Sequence, residues 1–531
     1  MVCDYEKGGS LMYDLIIKNG NVIDGTGSPA YHCDIGILNG KIVKIARNIK
    51  EGSKEVIDAR GLTVTPGFID SHSHSDDAMF DFSDMIEKIE QGITTSIAGQ
   101  CGITLAPISK DIKWENDFDV TGFGKASEVY KTFGTMVENA KKVPMGSNIV
   151  SFVGHGALRK AVIGFENRKP TADELNQMKE LLREAMENGA IGLSYGLIYT
   201  PSCYGETDEL IELAKVVKEY EGIISAHIRN EAFELTKSVD EFLTVIKAAD
   251  VKAVFSHHKA MHKENWGKVN NTLRMIDAAV NEGYDIYCDV YPYQASSTSL
   301  VPTIIAKEFR DVDNEGIVKL VSDIKMREKI RKIYSDKHGE SLNNLQITIC
   351  NAYPEYEGLR IDEVAKLRGQ DPYDTAFDLI RDSGGDVHIC NFSMCEEDIE
   401  TVIKYERSMI CTDSSVAKTN SVYHPRLKAS FPRVLGRYVR EKKVVTLHEM
   451  IRKCTSMPAS VYGLPSKGLI REGFDADICI FDANTIIDRS DYINCNQRCE
   501  GLNFVILGGE IVVENAVYNG KKNGGFITEQ R

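Results

Sequence analysis

The chain has 531 residues, more than a single hydrophobic core usually fills, so one large domain with satellites, or two to three domains, is expected. Its 42% apolar and 27% charged residues are an ordinary globular composition and exclude the collagen-like and disordered classes. A net charge of −15 argues against nucleic acid or an anionic bilayer as the main partner, and no apolar run approaches the roughly 20 residues of a membrane helix.

Thirteen cysteines are an odd number without the spacing of a small disulfide scaffold, and no charged start followed by an apolar core and a cleavage site precedes the fold. A cytoplasmic location is therefore expected. Residues 1–11 are polar and patternless and read as a disordered leader. From there, residues 14–24 predict a strand, a turn and a second strand. Short strands continue to about residue 58, punctuated by Asn39-Gly40 and Arg60-Gly61. The same texture returns at residues 477–481, 504–507 and 510–513, with Gly508-Gly509 as a hairpin turn. The two ends, 12–62 and 467–520, are thus expected to build one small β-sandwich domain.

Between them, strand-like runs at 62–69, 94–98, 148–153, 190–193, 222–226, 253–255, 285–290 and 409–411 alternate with helical stretches. Eight such runs predict an α/β fold, a distorted (β/α)8 TIM-type barrel over 63–300 and 346–466, with a doubly wound open sheet as the alternative. One helix carries its own start signal, the capping box Thr171-Ala172-Asp173-Glu174, and Asn188-Gly189 ends it. Residues 301–345 read as an insertion, 521–531 as a C-terminal tail, and 111–133 as either a loop or a pocket lid.

Barrel enzymes carry their chemistry where strands end, and five of these ends hold metal-ligand residue types. His72 and His74, in Asp70-Ser71-His72-Ser73-His74, share one face by strand alternation and can approach one metal centre. Cys101 follows the next run and would be a strong zinc ligand as thiolate, able to bridge two metals, although a lone buried Cys is more often a small hydrophobe. His227 and His257 follow two successive strands. Asp413 ends the last one and can bind metal or shuttle a proton; a helix N-cap is its bland alternative. Six ligand-type residues on one rim are poorly explained as separate accidents. His155, between Gly154 and Gly156, is read as structural or as supporting the site from behind, with lining of the pocket as the alternative. No Gly-x-Gly-x-x-Gly or phosphate-loop pattern opens a helix, so no nucleotide cofactor is expected.

The motif Pro66-Gly67-Phe68-Ile69-Asp70-Ser71-His72-Ser73-His74 resembles the amidohydrolase superfamily, over roughly residues 12–520. Within it, Gly99-Gln100-Cys101-Gly102 is most similar to the N-acyl-D-amino-acid deacylases (D-aminoacylases), whereas the cyclic amidases carry a carbamylated Lys after strand four, where this chain has none. The resemblance implies a tight zinc site of Cys101, His227 and His257, a weaker second site around His72, His74 and Asp413, and Asp413 as the catalytic acid and base. It further implies that Lys259 and Arg426 grip the substrate carboxylate, with Tyr199 and Ser297 beside it. The implied activity is hydrolysis of a small N-acyl-D-amino acid to a carboxylic acid and a free D-amino acid. Action on cyclic amides or on D- or β-aspartyl peptides, and a non-enzymatic scaffold of the same fold, are the alternatives. Side chain, acyl group and oligomeric state are not legible; Ser296 to Ser299 are more polar than an apolar side-chain pocket would need.

Overall fold

A computed structural model describes residues 12–108, 130–417 and 420–528. The expected leader at 1–11 lies outside these residues, as does most of the stretch 111–133.

Both chain ends meet in one nine-stranded sheet. Tyr13–Val22 pairs antiparallel with Tyr31–Leu38 and parallel with Ser53–Asp58 and Thr63–Pro66. Thr63–Pro66 in turn pairs with Ile478–Phe481, which leads on to Leu502–Leu507 and Glu510–Glu514. Here the structure corrects two expectations. Residues 14–24 do not form two strands: Tyr13–Val22 is one ten-residue strand with a register shift between Ile17 and Gly20, where Asn19 takes a φ of 58°. An extra residue in a bulge carries the same turn-like signature as a hairpin without ending the strand. The run 62–69 is likewise two elements, because Thr63–Pro66 belongs to the terminal sheet and only Phe68–Asp70 enters the barrel. The changeover falls at Gly67, where a Cβ would come within 2.3 Å of Thr94 Oγ1.

The central body is a ring of parallel strands: Phe68–Asp70, Ile93–Ala98, Asn148–Ser151 continued by Val153–Gly154, Gly192–Gly196, Ile223–His227, Lys252–Phe255, Ile286–Val290 and Ser408–Ile410. Each overlaps one of the eight apolar runs, the first only at the end of its run and the fourth over two residues. The first and last close on each other through Ser71 N–H to Ile410 O (3.3 Å) and Asp413 N–H to His72 O (2.9 Å). Helices pack outside it; Ala172–Glu187 begins with both hydrogen bonds of the Thr171–Glu174 capping box and stops at Asn188, followed by Gly189 at φ 98°.

The inserted unit is larger than 301–345. Leu345–Cys350 and Val387–Phe392 pair antiparallel with each other, and Val387–Phe392 also pairs with Ala295–Ser299, so none of the three joins the barrel ring. They enclose their own core, from Leu300 to Ile389, under helices such as Asn314–Ser322, Ile324–His338 and Pro372–Asp382. The described part of the expected C-terminal tail, 521–528, docks on the body: Gly524 bridges to Met145, and Ile527 N–H reaches Ile149 O at 2.8 Å. No helix among the described residues is long and apolar enough to cross a membrane.

Beneath the barrel rim, Lys88 is fully buried and ties the first strand to the last. Its ammonium donates to Asp70 Oδ2 (3.1 Å), Thr412 Oγ1 (2.7 Å) and the Ser414 carbonyl (2.7 Å). Replacing Lys88 by Met leaves Asp70 as an uncompensated buried charge, so about 3–5 kcal/mol of stability should be lost. Urea unfolding would measure it, and the double variant K88M/D70N should recover part of the loss.

Candidate metal centre and pocket

Five strand ends deliver the six ligand-type residues to one place. His72 and His74 follow Phe68–Asp70, Cys101 follows Ile93–Ala98, His227 closes Ile223–His227, His257 follows Lys252–Phe255, and Asp413 follows Ser408–Ile410. Cys101 Sγ lies 3.3 Å from His72 Nε2, 3.4 Å from His257 Nε2 and 3.8 Å from His227 Nδ1. Asp413 Oδ1 is 3.2 Å from His74 Nε2 and 3.5 Å from His72 Nε2. One atom each from His72, Cys101, His257 and Asp413 falls within 4.8 Å of the others; His227, Glu231 and His257 make a second such group.

Three of these residues sit in left-handed backbone, Cys101 at φ 54°, His257 at 35° and Asp413 at 50°. Each such residue costs about 1–3 kcal/mol and persists only where its surroundings over-determine it. The tethers are visible. Ser194 Oγ donates to Gly99 O (2.5 Å) and accepts from Gly102 N–H (3.0 Å), closing the loop that carries Cys101. His257 N–H donates to Asp289 Oδ1 at 2.6 Å, and Asp413 N–H is held by the His72 carbonyl.

The electrostatics suit a cation. Burial pushes His227 and His257 well below the usual histidine range, so both are neutral, the form that binds metal. Burial, with Asp413 adding to it, raises the Cys101 thiol well above its ordinary value, and a bound cation is what would turn it into a thiolate. Burial alone would raise the Asp413 carboxyl, but the Arg426 guanidinium and the hydrogen bond to His74 hold it well below the carboxylate range. Zinc bonds of about 2.3 Å to sulfur and about 2.0 Å to nitrogen, in tetrahedral array, put S and N roughly 3.5 Å apart, close to the 3.3 and 3.4 Å seen around Cys101. The residues present therefore fit zinc.

Over this centre opens a cavity of about 230 Å3. Tyr199, Lys259, Ser297 and Arg426, all singled out from the sequence, line it. Arg426 Nη1 donates to Asp413 Oδ2 at 2.7 Å, and Nη2 donates to the Ser297 carbonyl at 3.2 Å. Tyr199 OH lies 3.3 Å from Thr298 Oγ1. Lys259 Nζ is 2.6 Å from both Glu231 Oε1 and His257 Nδ1. His155 is buried away from the cavity, bonded to Ser202 Oγ (2.7 Å) and Glu209 Oε1 (2.8 Å), as its structural reading expects.

Sequence reasoning passed over Glu231 and Asp289. Glu231 Oε1 lies 2.9 Å from His257 Nδ1 and accepts from Lys259, which itself contacts that Nδ1; its signal was an acid four residues after a strand-end His. Asp289 holds the His257 backbone and lies 3.6 Å from His72 Nδ1; a lone carboxylate inside the apolar strand Ile286–Val290 was the available clue. Carboxylates behind metal-binding imidazoles fix ring orientation and tautomer.

A parallel eight-stranded ring with a His, Cys and Asp cluster at its carboxyl end defines a metal-dependent hydrolase architecture, and comparisons with known proteins say which one. The model of the Amidohydrolase family matches residues 55–513. The D-aminoacylase of Alcaligenes xylosoxydans xylosoxydans is 31% identical over 518 residues, covering 98% of each chain. The N-acyl-D-glutamate deacylase of the same organism is 33% identical over 505 residues, covering 95% of this chain and 94% of that one. The crystal structure of the Bordetella bronchiseptica N-acyl-D-glutamate deacylase, complexed with zinc and a phosphonate mimic of the tetrahedral intermediate, superposes with a TM-score of 0.85 at 29% identity, covering 98% of this chain and 100% of that one. This chain belongs to the amidohydrolase family and, within it, to the D-aminoacylase (N-acyl-D-amino-acid deacylase) group.

Proposed function

We propose that this protein hydrolyses the linear amide of N-acyl-D-amino acids, giving a carboxylic acid and a free D-amino acid, with Cys101, His227 and His257 holding a tight zinc ion and His72, His74 and Asp413 framing a weaker second site. The observation that carries this reading is the Cys101 thiol, seated among three imidazoles at the floor of a pocket whose wall presents Lys259 and Arg426. When bound, zinc polarises a carbonyl and lowers the pKa of water toward neutrality.

The chain's own groups do the rest. Asp413, kept ionised by Arg426, is the base that takes the proton of the attacking water and the acid that returns it to the departing amine. Lys259 and Arg426 hold the substrate carboxylate by charge-assisted hydrogen bonds, with Tyr199 and Ser297 shaping the same wall. With the carboxylate clamped and the amide at Asp413, two substituents of the substrate Cα are fixed, and only one enantiomer sends its side chain into the cavity. The twelve described cysteines are all unpaired, which supports a cytoplasmic setting.

Acetate release by the zinc-loaded protein from the two enantiomers of an N-acetyl amino acid tests the reading. The D form should be cleaved about 100-fold or more faster than the L form. Opening of a hydantoin or dihydropyrimidine ring with no action on the linear amides would sink it.

A further inference from the structure

Relatives of this chain divide by substrate, with one named for D-amino acids in general and another for D-glutamate. The pocket wall of this chain bears on that division. Among the described residues three cationic side chains line the cavity, and each is committed. Arg229 spends four hydrogen bonds on Glu241 and on the carbonyls of Cys203 and Gly205, at 2.8 to 3.0 Å. Lys259 is paired with Glu231, and Arg426 with Asp413. One substrate carboxylate can share Lys259 and Arg426; a second would enter a pocket already lined by Glu231 and Asp413, with no further cation among the described residues to meet it.

The wall away from the metal centre is uncharged. Ala295–Ser299 supplies Ser296, Thr298 and Ser299, and the short helix Leu300–Ile304 adds Thr303. His338, from the helix Ile324–His338, also lines it, and burial holds its pKa down to about 4, so it brings no charge at neutral pH. His262, packed 4.6 Å from the His338 ring, is likewise shifted down by burial. The Ser299 hydroxyl is the telling group. Its residue lines the cavity, and the hydroxyl itself is buried with no hydrogen-bond partner among the described residues. A buried hydroxyl left unmatched is a standing cost that a ligand group of the right chemistry removes.

From these groups we infer that the side-chain pocket takes N-acyl-D-amino acids with a neutral, hydrogen-bonding side chain and rejects their acidic isosteres, with Ser299 as a specificity-determining contact. The inference rests on the deacylase reading above. An amide side chain satisfies Ser299 as donor or acceptor; a carboxylate of the same shape must leave water without a counter-ion.

The experiment uses the zinc-loaded full chain and compares kcat/KM for N-acetyl-D-glutamine with N-acetyl-D-glutamate, and for N-acetyl-D-asparagine with N-acetyl-D-aspartate, taking N-acetyl-D-alanine as the reference without a side-chain hydrogen bond. Each amide should exceed its acid by about 100-fold or more. In Ser299→Ala the D-glutamine to D-alanine ratio should fall about tenfold, a change that general damage to the fold would not produce. Turnover of D-glutamate equal to or above that of D-glutamine overturns the inference and leaves the deacylase reading standing. An unchanged ratio in Ser299→Ala overturns the assignment of Ser299. Failure to cleave any N-acetyl-D-amino acid defeats the functional reading, and this inference with it.

Discussion

Replacing Asp413 by Asn is expected to lower kcat by about 10²- to 10⁴-fold, the range that a positioned acid–base group contributes. Asn is the substitution that isolates the proton. The residue sits at φ 50°, a left-handed conformation that Asn tolerates and most side chains do not, so the backbone need not move. Its amide oxygen can still face His74 and His72, now 3.2 and 3.5 Å from Oδ1, but it cannot accept a proton at neutral pH. The charge does change on the other side. Arg426 loses the partner that Nη1 reaches at 2.7 Å and stays buried, so thermal stability should fall as well. Elemental analysis and a melting curve separate the two effects. A folded variant that retains metal and has lost turnover supports the role of Asp413; a kcat within tenfold of wild type removes it.

The Arg426 pairing also marks where reading from sequence stopped. His72 and His74 were legible because Ser-His-Ser-His continues the alternation of a strand, and the parallel bridge between Ser73 and Ser414 carries that geometry past Asp70. Cys101, His227, His257 and Asp413 were legible by position, each just beyond an apolar run. What each of them touches was not. Ser194 braces the Cys101 loop from 92 residues away, and Asp289 holds His257 from 32 away; nothing local in either segment announces the contact. In the inserted sheet the strand-like run 386–392 was legible, and its neighbour was hidden for a related reason. Ala295–Ser299 reads as a polar loop, Ala-Ser-Ser-Thr-Ser, and becomes a strand only because Val387–Phe392 pairs with it. At Gly67 the limit was different in kind. A continuous apolar run marks burial on both sides of the residue, and periodicity cannot tell that the two halves belong to different sheets.

Replacing Cys101 by Ala should abolish the tight metal site, and with it nearly all turnover. Outer partners of metal ligands typically contribute about 10- to 100-fold in affinity, so losing a central ligand should cost at least about 100-fold. The thiol is 2% exposed and enclosed by three imidazoles, one of them His257, whose own Nδ1 faces Lys259 and Glu231. No other described side chain brings sulfur into the group. Packing and coordination make opposite forecasts here. If the thiol only fills space, Ala leaves a small void, metal content stays at the wild-type level, and added zinc shifts both proteins' melting temperatures alike. If the thiol is a ligand, zinc raises the wild-type melting temperature, since a cation at 100 times its Kd adds about 2.7 kcal/mol to the folded state, and the variant barely responds. Chelation should then lower the wild-type melting temperature and leave that of the variant unchanged. Wild-type zinc content and a wild-type zinc response in Cys101→Ala would make the thiol a packing residue and move the search for the tight site to His227, Glu231 and His257.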